Sequence, residues 1–157
     1  MGEIVRLSNP DSSTVRQLLR IWQSSMESSH HFLTKEDIGA LRPAVKRNLV
    51  TIGGLYGFCN DEGRLLAFMG VHGDMIEMLF VREGFFRQGI GGTLVRYAIQ
   101  SLQVRRVDVN DQNRAAADFF QHMGFSVTDT SKEGRFGNYF PILHMQLSPP
   151  QSDKPQL

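Results

Sequence analysis

Met78-Leu79-Phe80-Val81, a short loop, and then Arg87-Gln88-Gly89-Ile90-Gly91-Gly92-Thr93-Leu94 form the stretch on which the reading of this chain turns. The first four residues are apolar and strand-like, while Leu94, Val95, Ala98 and Leu102 share one face at helical spacing. In a strand, glycine loop and helix of this kind, successive free backbone N–H groups point out of the helix N-terminus at one spot, where they hold phosphate. Glycine lets the backbone approach a ligand with no Cβ in the way, and Arg87 adds charge-assisted bonds. Glycines before a helix also serve plain tight turns, so the surroundings decide.

Two familiar phosphate loops do not match. A Walker loop needs Lys-Ser or Lys-Thr after its last glycine, and Gly92-Thr93-Leu94 has no lysine. A dinucleotide fingerprint needs glycine or alanine where Leu94 stands and belongs to an alternating β/α chain. Upstream of the glycines the pattern is instead a meander. Leu55 to Cys59, Leu65 to Val71 and Met75 to Val81 are strand-like runs, separated by turns at Asn60-Asp61-Glu62-Gly63 and His72-Gly73-Asp74.

Before the meander, Ile4 to Leu7 reads as a first strand, and Val15, Leu18, Leu19, Trp22 and Met26 define a helix to about Ser28. A second helix starts at Thr34, where Thr34-Lys35-Glu36-Asp37 has capping-box character, and continues towards Leu49, with Gly39 and Pro43 weakening or bending it. After the glycine turn and its helix come a strand over Val104 to Val109, a helix over Asn113 to Met123 ended by Gly124, and strands over Phe125 to Thr130 and Tyr139 to Leu147. The fold class is α/β in the broad sense (α+β), with about seven strands and about four helices. Residues 1–147 make one expected domain. Residues 148–157 carry three of the six prolines and read as a disordered tail.

Composition agrees with one domain: 157 residues, 41% of them hydrophobic. At this length folding buries about 68–70% of the unfolded surface, enough for a core without staples. Cys59 is the only cysteine, which excludes an internal disulfide and suits a cytoplasmic setting. A formal net charge of +1 gives no electrostatic reason to expect nucleic-acid binding. No apolar run reaches the roughly 18 residues of a membrane span.

Residues 75 to 125 taken together resemble the GNAT superfamily of acetyl-coenzyme A dependent N-acetyltransferases. The resemblance rests on the strand and glycine turn quoted above, and on Asn113-Arg114-Ala115-Ala116-Ala117-Asp118-Phe119-Phe120-Gln121-His122-Met123-Gly124-Phe125, which is similar to the family's second motif. The element order extends it loosely over 4–147. It implies a mixed, mostly antiparallel central sheet in which the strand at 75–81 and the strand near 104–109 splay apart. It further implies that the backbone amides between Arg87 and Gly92 (Arg87, Gln88, Gly89, Ile90, Gly91, Gly92) bind the pyrophosphate of coenzyme A, with Thr93 also in the cofactor-binding set. Leu79, Phe80 and Val81 would pair through their backbone with the pantetheine arm and the acetyl carbonyl, and Asn113 would sit beside that arm, as an N-cap or in both roles. The expected cosubstrate is acetyl-CoA and the expected acceptor an amine, small or peptidic, with no metal, nucleic acid or membrane; monomer and homodimer stay open.

There are two departures from the family pattern. Phe86 stands where Arg or Gln is common, three residues before Gly89, and Phe120 stands where a tyrosine often protonates the departing thiolate. Phe120 is expected to face the groove and Phe119 the core. Loss of the hydroxyl favours an alternative reading, a non-catalytic acyl-CoA binding module. Against it, a thiol of pKa near 8.5 leaves acceptably near neutral pH.

Three residues are the candidate catalytic set. Glu77 lies in the strand expected to line the groove, on the face of Leu79 and Val81, and is the first choice for a base. Asn110, ending the next groove strand, is a candidate for holding substrate or water, or for shaping the turn with Asp111. His30 lies in the loop His30-His31-Phe32-Leu33, on the side where the acceptor enters in such folds. His31, His72, His122 and His144 carry no such argument, and no histidine pair has metal-site spacing.

Overall fold

The computed structural model describes residues 2–29, 33–132 and 141–149. Its strands are β1 (Gly2–Arg6), β2 (Gly54–Asn60), β3 (Leu65–His72), β4 (Met75–Val81), β5 (Arg106–Asn110), β6 (Phe125–Ser131) and β7 (Ile142–Leu147). Its helices are α1 (Ser12–Ser29), α2 (Lys35–Thr51), α3 (Ile90–Ser101) and α4 (Arg114–His122). The seven strands form one sheet in the order β1-β2-β3-β4-β5-β7-β6, and every neighbouring pair is antiparallel except β4 with β5.

The sheet is covered on both faces, so an inner strand such as β3 must be apolar on both. Leu65 to Val71 are all buried. Phe68 joins Leu18, Ile21, Trp22, Ile38 and Leu49 in a core beneath α1 and α2. Met69 and Val71 join Leu94, Val95, Ala98, Ala117 and Phe120 in a core beneath α3 and α4.

Helix α2 begins with the capping box that the sequence suggests. Thr34 Oγ1 accepts from the Asp37 amide at 3.0 Å, and an Asp37 carboxylate oxygen accepts from the Thr34 amide at 2.9 Å. Pro43 stands inside this helix without ending it. The residue four before it, whose carbonyl loses its bond, is the exposed Gly39.

The junction of β4 and β5 positions the site. Only Met75 pairs with Arg106 and Ile76 with Val107, and beyond these two pairs the strands part. The joint is tied by Asp74, whose carbonyl accepts from the amides of Arg105 and Arg106 at 2.7 and 3.0 Å. The Asp74 carboxylate takes the Arg106 guanidinium at 2.8 Å.

Candidate active site

Where β4 and β5 separate, a cleft of about 220 Å³ opens. Glu77, Leu79 and Phe80 line its β4 wall, and Asp108 and Asn110 its β5 wall. Phe120 and Asn113 close one end, and Trp22, Met26 and Val45 of the first two helices cover another side.

Glu77 owes its place to an irregularity. Val71 pairs with Ile76 and Gly70 with Met78, so Glu77 is an extra residue in β4. Such a bulge re-aims a side chain and bends the strand. It also interrupts the alternation: Ile76 packs into the α3/α4 core and Met78 into the α1/α2 core, although they are two residues apart.

The glycine turn has the backbone of an anion nest. Arg87 and Gly89 take positive φ of 65° and 82° on either side of Gln88, and α3 starts at Ile90 with no side-chain cap. Its first bond runs from the Thr93 amide to the Gly89 carbonyl at 3.0 Å, which leaves the N–H groups of Ile90, Gly91 and Gly92 without an intrahelical acceptor. The Thr93 hydroxyl donates to the same carbonyl at 2.9 Å, so it serves the turn. Three free amides and an arginine on a solvent-facing turn suit a pyrophosphate.

Across the cleft, Asn113 caps α4, its side chain accepting from the Ala116 amide at 3.2 Å. Among the described residues Asn110 Oδ1 is buried with no hydrogen-bond partner, an arrangement that a water or a ligand donor would satisfy. Phe120 faces the cleft as expected, and Phe119 packs against the core from its edge. Phe120 lines the cleft but is only 5% exposed, edge-on to Phe125 with ring centroids 5.6 Å apart. Phe119, expected in the core, is half-buried, and a Cβ on Gly91 would meet its ring at 3.5 Å. Phe119 thus sits at the core's edge beside Gly91, and Phe120 reaches the cleft from between Phe119 and Phe125.

His30 lies outside the described residues, as does much of the segment 131–141 expected to build the acceptor side. Cys59 is the penultimate residue of β2, paired opposite Glu3, and burial followed by the Glu3 charge pushes its thiol pKa up, which disfavours the nucleophilic thiolate. Among the described residues no three His, Cys, Asp or Glu side chains are grouped to hold a metal, and no helix is long and apolar enough to cross a membrane.

One constellation escaped the sequence reading. His144 Nδ1 is 2.7 Å from an Asp108 carboxylate oxygen, and its Nε2 is 3.1 Å from Ser131 Oγ. The three come from β5, β7 and β6, and only the register that sets Asp108 opposite His144 brings them together.

The sequence profile of the family described as acetyltransferase (GNAT) domain matches residues 45–127. The peptidyl-lysine N-acetyltransferase YjaB of Salmonella typhimurium is 30% identical over 129 residues, covering 82% of this chain and 88% of that protein. This chain belongs to the GNAT acetyltransferase family. As a GNAT enzyme it is an acyltransferase that uses acetyl-CoA, and the sheet, fork and glycine turn are the family's fold. The solution structure of apo-form YjaB from Escherichia coli superposes with a TM-score of 0.81 at 26% identity, covering 93% of this chain and 97% of that one. The PaiA N-acetyltransferase of Thermoplasma acidophilum, solved in complex with coenzyme A, shares the GNAT fold with a TM-score of 0.73 at 18% identity, over 94% and 98% of the two chains.

Proposed function

We propose that this GNAT enzyme acetylates the side-chain amine of peptidyl lysine by direct attack, with both substrates bound in the fork between β4 and β5. The observation that carries the reading is the two-pair junction of those strands, which ends their ladder at Ile76 and Val107 and leaves the β4 stretch Leu79 to Val81 beyond it, beside the glycine turn. The lysine acceptor is supported by the YjaB relatives, the Escherichia coli one being 29% identical over 82% of this chain.

Acetyl-CoA supplies an activated acyl group on a thiol leaving group. The backbone amides from Arg87 to Gly92 and the Arg87 guanidinium hold its pyrophosphate end, with Thr93 bracing the turn through the Gly89 carbonyl. The free edge at Leu79, Phe80 and Val81 aligns the arm and acetyl group, and a backbone N–H near Val81 faces the oxygen on which negative charge develops. Such donors are worth about 2.7–4 kcal/mol each in other acyl transfers. Asn113 and Phe120 flank the arm.

A lysine amine has an ordinary pKa near 10.4, so only about one in a thousand is neutral at pH 7.5, a shortfall of about 4 kcal/mol. Glu77, on the bulge, receives the proton directly or through water. Asn110 offers its unpartnered Oδ1 to an N–H of the bound substrates, and His30 contacts the acceptor. The acetyltransferase domain spans 1–147, and the setting is cytoplasmic, supported by a sequence whose single cysteine forms no internal disulfide.

A thiol-release assay with acetyl-CoA across lysine peptides, peptide N-termini, polyamines and aminoglycosides tests the reading, with calorimetric acetyl-CoA binding as its control. Release is expected with lysine peptides. Turnover of another amine class alone overturns the acceptor assignment.

A further inference from the structure

In order, Ser131, His144 and Asp108 form the hydrogen-bonded sequence of a hydrolase triad, and the first question is which end works. An ionised carboxylate only accepts, so His144 Nδ1 carries the proton shared with Asp108, and Nε2 is left to Ser131. Asp108 lines the cleft, whereas Ser131 lies on β6, two strands from the fork. The serine is therefore the far anchor and the carboxylate the end that meets a ligand.

What Asp108 can meet follows from its neighbours. One oxygen takes the imidazole at 2.7 Å, and its second oxygen has no protein donor among the described residues. The nearest cation along β5, Arg106, feels the Asp108 charge but gives its hydrogen bonds to Asp74, at 2.8 Å, and makes none to that second oxygen. Two residues further, on the same face of β5, stands Asn110 with its buried, unpartnered Oδ1. The β5 wall thus presents two acceptor oxygens and no donor aimed at them. The functional group that answers such a pair is one with several N–H donors, a positive charge and no lone pair, which is an ammonium.

We infer that Asp108 and Asn110 form the recognition site for the protonated, cationic form of the acceptor amine, with His144 and Ser131 as positioning residues that hold the Asp108 carboxylate. The inference rests on the proposed acetyl transfer and adds where the acceptor docks before losing its proton. Docking and deprotonation are then divided between the walls, with Asp108 and Asn110 on β5 and Glu77 on β4. A carboxylate that binds the ammonium favours its charged form, so it strengthens ground-state binding without helping the chemical step.

That division gives a kinetic signature. Asp108→Asn should raise KM for a lysine peptide by about ten- to a hundredfold, with kcat and the acetyl-CoA KM nearly unchanged. His144→Phe should move the acceptor KM in the same direction by less, and His144→Gln, which restores a donor to Asp108, should recover part of the loss. A fall in kcat with KM unchanged, or equal losses for both substrates, overturns the assignment. The kinetic series uses whichever amine the wild type turns over best, so failure of lysine as acceptor is read separately. A second measurement needs no turnover: with coenzyme A bound, titration of Nα-acetyl-lysine methylamide should shift the His144 ring resonances, and the norleucine analogue should not. An unmoved His144 signal at a saturating concentration of the amine that the wild type turns over best also overturns it.

Discussion

The two walls of the cleft are built in different ways. The β4 and α3 wall works with backbone: an unpaired strand edge, a turn with positive φ at Arg87 and Gly89, and three free amides at the start of a helix. The β5, β7 and β6 wall works with side chains brought together by register: Asp108, His144, Ser131 and Asn110, whose Oδ1 has no partner among the described residues. Backbone recognition fits the invariant part of a reaction, the cosubstrate, because any sequence that makes the turn makes the site. Side-chain recognition suits the variable part, the acceptor.

The comparison is broken most severely at Glu77, the charged side chain on the backbone wall. Glu77→Gln is expected to lower kcat by about 10²–10⁴, the range of a general base, with calorimetric acetyl-CoA affinity unchanged. The deficit should shrink as pH rises, since more of the amine is neutral without help. A deficit constant with pH would make Glu77 a shaping residue of the bulge.

Gly89→Val tests the backbone wall itself. A β-branched residue at φ 82° costs about 1–3 kcal/mol, and if the turn opens to relieve it, acetyl-CoA affinity falls by about 5- to 150-fold. Gly91→Ala is the companion. Its Cβ would stand 3.5 Å from Phe119, an ordinary contact, so the fold is kept and an affinity loss there reports ligand clearance alone. Unchanged affinity in a folded Gly89→Val protein would remove the nest from the site.

Phe120→Tyr sharpens the end where the walls meet. The ring lines the cleft, and a phenol in reach of the departing sulfur can supply a proton, but a thiol of pKa near 8.5 needs little help. A gain in kcat of no more than about tenfold is expected. No change, with binding intact, means the hydroxyl misses the sulfur or that departure does not limit the rate.

The smallest effect is expected at Asn113. Asn113→Ala removes the α4 cap and should cost about 1 kcal/mol, read as a lower thermal midpoint. Asn113→Asp keeps a capping oxygen, so weaker acetyl-CoA binding at an unchanged midpoint would separate a cofactor contact from the cap.

Sequence legibility follows the same divide. Strand β4 is bounded as expected at Met75–Val81, since Gly73-Asp74 before it and the glycine turn after it are local signals. The glycine motif was readable for the same reason, although Gly91 and Gly92 lie within the first turn of α3 instead of ahead of it, where unpaired amides make glycine tolerable. The strand expected over Val104 to Val109 starts later, at Arg106. Val104 is buried, but its amide donates to the Ala98 carbonyl and finishes α3, so its apolar character reflects helix packing. The bulge at Glu77 and the pairing of Asp108 with His144, 36 residues away, had no local signal, because both are properties of how two strands are set against each other.

The two-pair joint of β4 and β5 gives the molecule a mechanical character. Strands β1 to β4 with α1 and α3 are one raft, and β5, β7 and β6 with α4 are another, pinned where Asp74 holds the amides of Arg105 and Arg106. The core beneath α3 and α4 already joins the two rafts on one face, and a wedge seated in the fork would brace them across the open side. Cosubstrate and acceptor would then brace the same angle from opposite walls, so that each, once seated, stiffens the frame into which the other must fit.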